Sequence, residues 1–225
     1  MPVPMRGRLS FLLLASLGAS GFAPAVAADP ASAADAAWVL RQLAQPAPTR
    51  TAFVELRDSP LLKAPLRISG EYRRPDEATL VREVESPYLE TTTIMSSGAG
   101  DSQATIARPG KRARSVSLAR VPELAGLQAS FGALLAGDRA MLEQHYRIAA
   151  AGTRGHWTLT LVPRDAALAA KLRDIVLRGQ GAELRCIETA SAQGGEVQRT
   201  LLASAARAAE GVSDGRALAA LCTAD

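Results

Sequence analysis

Residues 66–87 read LRISGEYRRPDEATLVREVESP, and their period decides the fold class. Leu66, Ile68, Gly70 and Tyr72 fall on one side of an extended chain, and Arg67, Ser69, Glu71 and Arg73 fall on the other. A period of two marks a strand with one dry and one wet face. Arg74-Pro75-Asp76 supplies turn chemistry, and Thr79–Glu85 resumes the strand as far as Ser86-Pro87. Similar runs extend outward on both sides. Upstream lies Thr51–Arg57; downstream lie Tyr88–Ser96, Gln103–Ala107, Arg114–Arg120, Tyr146–Ala150, the HWTLTLVP stretch from His156, Leu172–Arg178, Glu183–Ala190 and Val197–Ala203. About ten short strands separated by Gly, Pro and Asp turns predict a mainly β fold with an antiparallel sheet, barrel-like or sandwich-like.

Helical spacing interrupts this pattern in a few places. Ser32 with Asp35 three residues on has the capping-box form, and Ala36, Val39, Leu40 and Leu43 share a face before Pro46 and Pro48 stop the helix. In VPELAGLQASFGALLAGD, residues 121–138, Leu124, Leu127, Phe131, Leu134 and Leu135 line one helical face. Gly126 and Gly132 weaken that helix by about 1 kcal/mol each relative to alanine. It either fills the open side of a curved sheet or completes the core. Shorter helical stretches are expected at Arg139–Gln144, Ala166–Lys171 and Ser213–Leu221.

The 225 residues, 48% hydrophobic and 21% charged, suit one globular domain and exclude a disordered chain. Arg6 and Arg8 precede the apolar run FLLLASLGASGF, and Ala25 and Ala27 hold the small positions of a cleavage site. Residues 1–27 therefore read as a cleavable bacterial signal peptide, and the product is expected in the periplasm. Losing Arg6 and Arg8 lowers the formal charge from +4 to +2, which weakens any case for nucleic acid. Cys186 and Cys222 either form one disulfide, as an oxidising compartment favours, or remain two buried thiols. The expected organisation is a body over residues 28–204 and a C-terminal tail, residues 205–225, pinned by that disulfide.

Catalytic signatures are scarce. His145 and His156 lack the clustered partners of a zinc site, and there is no HExxH, GxSxG, SxxK, CxxC or glycine-rich nucleotide loop. Glu83 and Glu85 share a strand face and read as solvated surface rather than an acid–base pair. The basic run RPGKRARSVSLAR, with Arg108, Lys111, Arg112, Arg114 and Arg120, either meets anionic head groups or a partner, or is simply solvated. Aromatics make up only 4%, too few for a base-stacking platform. No enzyme activity, cofactor, metal or nucleic acid is expected.

Taken in order, several segments resemble the LolA family of periplasmic lipoprotein carriers. Phe53-Val54-Glu55 is similar to the family's Phe-x-Gln, and ISGEYRRPDEATLVREVESP to its Gly-x-x-x-x-Arg-Pro segment. SSGAGDSQATI stands where the family has an Asp-Gly hairpin, and VPELAGLQASFGALLAGD where it has a helical lid. HYRIAAAGTRGHWTLTLVPRD is similar to its strand pair ending in Leu-x-Pro-Lys, and DIVLRGQGAELRCIETASAQGGEVQRTLL to its final meander. Glu55 in place of Gln, Ala78 where an aromatic is common, the cysteine pair and the alanine-rich tail mark a divergent relative.

The resemblance implies an incomplete antiparallel barrel around an α-helical lid, acting as a monomer. It implies a carrier that buries the acyl chains of lipoproteins or lipids and moves them from an inner-membrane transporter to an outer-membrane acceptor. The cavity and lid would be lined by Val54, Leu66, Ile68, Leu80, Leu124, Leu127, Phe131 and Leu134. Arg74 matches the arginine that latches the lid through backbone carbonyls; otherwise it is a surface arginine before a turn. The alternatives are a carrier for an aryl polyene-type lipid or pigment, and a non-catalytic lipid-sensing adaptor.

Overall fold

A computed structural model of the chain describes residues 32–57, 66–96, 102–117, 133–134, 136–195 and 197–223. The expected signal peptide and the lid residues Leu124, Leu127 and Phe131 lie outside the described residues. Helix α1 spans Ala36–Leu43. Strands β1 (Thr49–Arg57), β2 (Leu66–Arg74), β3 (Thr79–Ser86), β4 (Glu90–Ser96), β5 (Ser102–Ala107) and β6 (Arg114–Ser117) follow. Helix α2 (Arg139–His145) leads into β7 (Tyr146–Gly152), β8 (Trp157–Pro163), the one-turn α3 (Ala166–Ala169), β9 (Leu172–Gln180), β10 (Glu183–Ser191) and β11 (Gln198–Leu202). Helices α4 (Ala203–Ala208) and α5 (Gly215–Thr223) close the described chain.

All eleven strands form one antiparallel sheet in the order β6-β5-β4-β3-β2-β1-β11-β10-β9-β8-β7. Two meanders, β1–β6 and β7–β11, are joined where β1 pairs with β11, Phe53 opposite Leu202 and Glu55 opposite Thr200. Strands β6 and β7 are the two edges, so the sheet does not close into a barrel. This is the expected mainly β, incomplete barrel of about ten strands; the described residues form eleven.

The sheet has a core on each face. On the front face, α1 buries Val39, Leu40 and Leu43 with Leu134, Leu142 and Tyr146 against Trp157, Leu159, Leu161 and Leu177. Leu184 and Ile187 continue this layer into a second cluster of Phe53, Ile68, Val84 and Leu202. Burying each such side chain contributes roughly 1.5–3 kcal/mol. On the back face, α4 and α5 cover Val54, Cys186 and Leu201 with Ala205, Ala206, Ala209, Leu218 and Cys222. The Cys186–Cys222 disulfide forms there and ties α5 to β10. Arg67 adds a polar tie: its Nε and Nη2 donate to the Val212 and Ala209 carbonyls at 3.0 and 3.1 Å.

Two local features have clear causes. The N-cap of α1 is Asp35, not Ser32, because the Asp35 carboxylate accepts the Trp38 N–H at 2.8 Å. The β9–β10 hairpin turns at Gly181-Ala182, and Gly179 lies within β9. A Cβ on Gly179 would sit 2.1 Å from the Trp157 ring, so the missing side chain is what lets Trp157 lie across the strand. Trp157 Nε1 then donates to the Gly181 carbonyl at 2.9 Å.

Candidate functional site

Register places the front-face residues of β3–β6 in rows. Leu80 stands opposite Ile94, Ile94 opposite Ala104, and Ala104 opposite Val116. The adjacent row runs Tyr72, Arg82, Thr92, Ile106, Arg114. The helices α1 and α2 pack on the other half of the sheet, and here apolar side chains stay accessible: Ile106 is 37% and Val116 42% exposed. At a strand spacing of 4.7–4.9 Å, the four-strand aliphatic row extends over roughly 14 Å.

An ionic centre lies on the same face, at the Ile68 end of β2, whereas Leu80 is level with the Arg74 end. Glu55, on β1, is only 3% exposed. Its Oε1 accepts from Arg82 Nη2 at 2.7 Å and from Arg57 Nη2 at 2.9 Å, and Thr200 Oγ1 donates to Oε2 at 3.4 Å. The Arg82 guanidinium lies 4.6 Å over the Phe53 ring, and Phe53 packs on Tyr72 at 4.8 Å between centroids. Burial pushes the Tyr72 phenol above its ordinary pKa although the Arg82 charge pulls it back, so Tyr72 stays neutral near pH 7. No local motif announces this centre: Glu55 and Arg82 are 27 residues apart and meet only through the β1–β2–β3 register.

Arg74 ends β2 at the opposite end of the sheet from the β3–β4 turn and is 6% exposed. Its Nη1 donates to the Gln45 carbonyl, just past α1, at 2.5 Å, and its Nη2 pairs with Glu77. The Asp76 carboxylate accepts the Ala78 N–H at 2.9 Å; that bond holds its pKa below the usual range and shapes the turn that presents Arg74. Arg74 is therefore a buried donor to a carbonyl beside a helix end, not a solvated turn residue.

The other expected site residues separate into groups. Leu66 and Ile68 lie in the front cluster with Phe53, and Leu80 heads the aliphatic row. Leu134 is buried with α1 and β8. Val54 is the correction: it faces the back with Ala52 and Leu56 and packs beneath α4 and α5, because adjacent strand residues point oppositely and Phe53 takes the front. Glu83 pairs with Arg73. In the basic segment, Arg108 pairs with Glu90 and lies over Tyr88, while Lys111, Arg112 and Arg114 are exposed around the β5–β6 turn. No group of three metal-ligating side chains occurs among the described residues. No helix among them is long and apolar enough to cross a membrane.

No curated protein matches the sequence. Among solved structures, a LolA superfamily protein from Nitrosomonas europaea aligns over 76% of this chain and 92% of its own, at 10% identity and a TM-score of 0.39. The family model described as outer membrane lipoprotein carrier protein LolA-like matches residues 27–225, nearly the whole sequence, and the chain belongs to that family.

Proposed function

We propose that the protein is an exported, non-catalytic carrier that shields the acyl chains of a lipoprotein or lipid and moves them across the periplasm, from an inner-membrane transporter to an outer-membrane acceptor. The observation that carries this reading is the part-exposed aliphatic row Leu80–Ile94–Ala104–Val116 on the front of an unclosed sheet, in a chain of the LolA-like family. An acyl chain gains about 0.8 kcal/mol for each methylene removed from water. A few contacts along such a row hold a chain, while the unclosed edge leaves a route for release. Membership of a family described as lipoprotein carriers and the signal-like residues 1–27 support export and transport. Arg74 would latch α1 rather than the 121–138 helix expected as the lid: its described bond joins the end of β2 to the Gln45 carbonyl after α1, and moving α1 must break that bond.

The test is native mass spectrometry of protein recovered from the envelope of its own host, followed by solvent extraction. Co-purified acyl species are expected, and their masses separate lipoprotein, phospholipid and pigment-lipid. A clean apo mass, together with failure to take up added lipid, overturns the proposal.

A further inference from the structure

We infer that Arg57 and Arg82, gathered around Glu55, form a head-group site for a long-chain amphiphile with an anionic end, a carboxylate or a phosphate monoester, whose tail lies along the Leu80–Ile94–Ala104–Val116 row. This deepens the carrier reading and rests on it.

Charge sets the sign of the ligand. Two guanidiniums share one carboxylate, so the centre carries a net positive charge. Among the described residues, the other titratable groups around it do not cancel that charge. Tyr72 is neutral, and the front-face carboxylate of Glu90 is engaged by Arg108 at 2.6 Å. Access points the same way. The Glu55 side chain is 4% exposed, whereas Arg82 is 17% and Arg57 50% exposed. A ligand arriving on the front face meets the cations and cannot reach the carboxylate. Each guanidinium has five N–H donors; Glu55 takes one from each through Nη2, and Arg82 also bonds the Tyr72 phenol. Donors therefore remain for a second oxyanion, and guanidinium geometry suits carboxylate and phosphate alike.

Position sets the rest of the ligand. Arg82 and Leu80 lie two residues apart on the same face of β3, about 6.6–6.8 Å, and the Arg82 guanidinium reaches from there toward Phe53 and Glu55, so the tail of a ligand held at the guanidinium crosses the Tyr72–Arg82–Thr92 row to reach the aliphatic one. Phe53 under Arg82 keeps the guanidinium in a partly apolar setting, where its attraction for an anion is less screened than in open water. A small free anion would use only half of this arrangement, and an uncharged amphiphile only the other half.

The experiment is calorimetric titration of the exported protein, stripped of any native ligand, with four probes: palmitate, hexadecyl phosphate, hexadecanol and inorganic phosphate. Palmitate and hexadecyl phosphate are expected to bind about tenfold or more tighter than hexadecanol, the range of a charge-assisted hydrogen bond. Comparison of the two anions tells which head group is preferred. Arg57→Gln changes a half-exposed side chain, so folding is retained. It should shrink the preference severalfold while leaving hexadecanol affinity unchanged. Equal binding of palmitate and hexadecanol, or an undiminished preference in Arg57→Gln, overturns the site but leaves the carrier reading standing. Inorganic phosphate binding as tightly as hexadecyl phosphate overturns the tail row. If none of the long-chain probes binds, the carrier reading and this site fall together.

Discussion

Glu55→Gln exchanges a carboxylate for an amide of the same shape, and the surroundings of Glu55 set the size of the effect. Breaking a buried ion pair by deleting one partner costs about 3–5 kcal/mol. Two features reduce that figure here. Arg57 is 50% exposed and rehydrates when its partner is lost, so its share is small. The new amide oxygen still accepts one hydrogen bond from Arg82, which is 17% exposed. What remains is the difference between a charged and a neutral acceptor for one largely buried guanidinium, about 2 kcal/mol. With a urea slope of about 2 kcal/mol/M, the midpoint of unfolding should fall by roughly 1 M. The control is Glu71→Gln, whose carboxylate meets Arg50 at 3.2 Å with the arginine 68% exposed; it should cost no more than about 0.5 kcal/mol. Equal midpoint shifts for the two variants would refute the reasoning. Binding gives an independent sign: removing the negative charge should tighten palmitate binding while the fold weakens, whereas a purely structural Glu55 would lower both.

Three further outcomes follow from other parts of the molecule. Arg74→Leu removes the bond to the Gln45 carbonyl and should leave the β-sheet circular dichroism intact while changing release of bound lipid to acceptor vesicles; release kinetics identical to the parent protein remove the latch. Cys222→Ser opens the loop closed by a disulfide between residues 36 apart and should lower stability by about 3–4 kcal/mol, read as a drop in Tm that is absent when reduced parent and variant are compared. Burial alone would raise the pKa of Glu188, but hydrogen bonds and charge from Arg178 and Arg199 outweigh it and hold the folded value below the ordinary one. Its stabilising contribution is therefore complete above the unfolded pKa of about 4.3 and is lost as pH falls through the lower folded value, so Glu188→Gln should flatten the acid limb of a stability–pH curve.

The strands were legible because short-range alternation and turn residues are local properties of the chain. β2, β3 and the β9–β10 hairpin lie within a residue or two of where the period of two ends. Helix α4 was not legible. Its buried side chains are Ala205 and Ala206, with Ala209 following, and alanines that let a helix approach β1 and β11 closely make no hydrophobic stripe. The shift of the α1 cap from Ser32 to Asp35 has a similar origin: both residues are good caps, and only the observed N–H contact chooses between them.

The candidate site shows where local reading stops. Alternation says that Phe53 and Val54 face opposite ways, but not which of them faces the open side: Ala52, Val54 and Leu56 make the more apolar row, and the C-terminal helices cover that row on the back. Assigning Val54 to the cavity was therefore a choice that the fold decides against. Glu55 shows the converse. In the sequence it stands only as a departure from the Gln of a family motif, and it gains meaning when register brings Arg82 and Thr200 onto it from neighbouring strands. A carboxylate that is neutralised by one arginine would be ordinary core chemistry. One that gathers two and hides itself, on a face that also carries a part-exposed aliphatic row, is organised toward something outside the fold, and an anionic amphiphile is the simplest molecule that matches both halves.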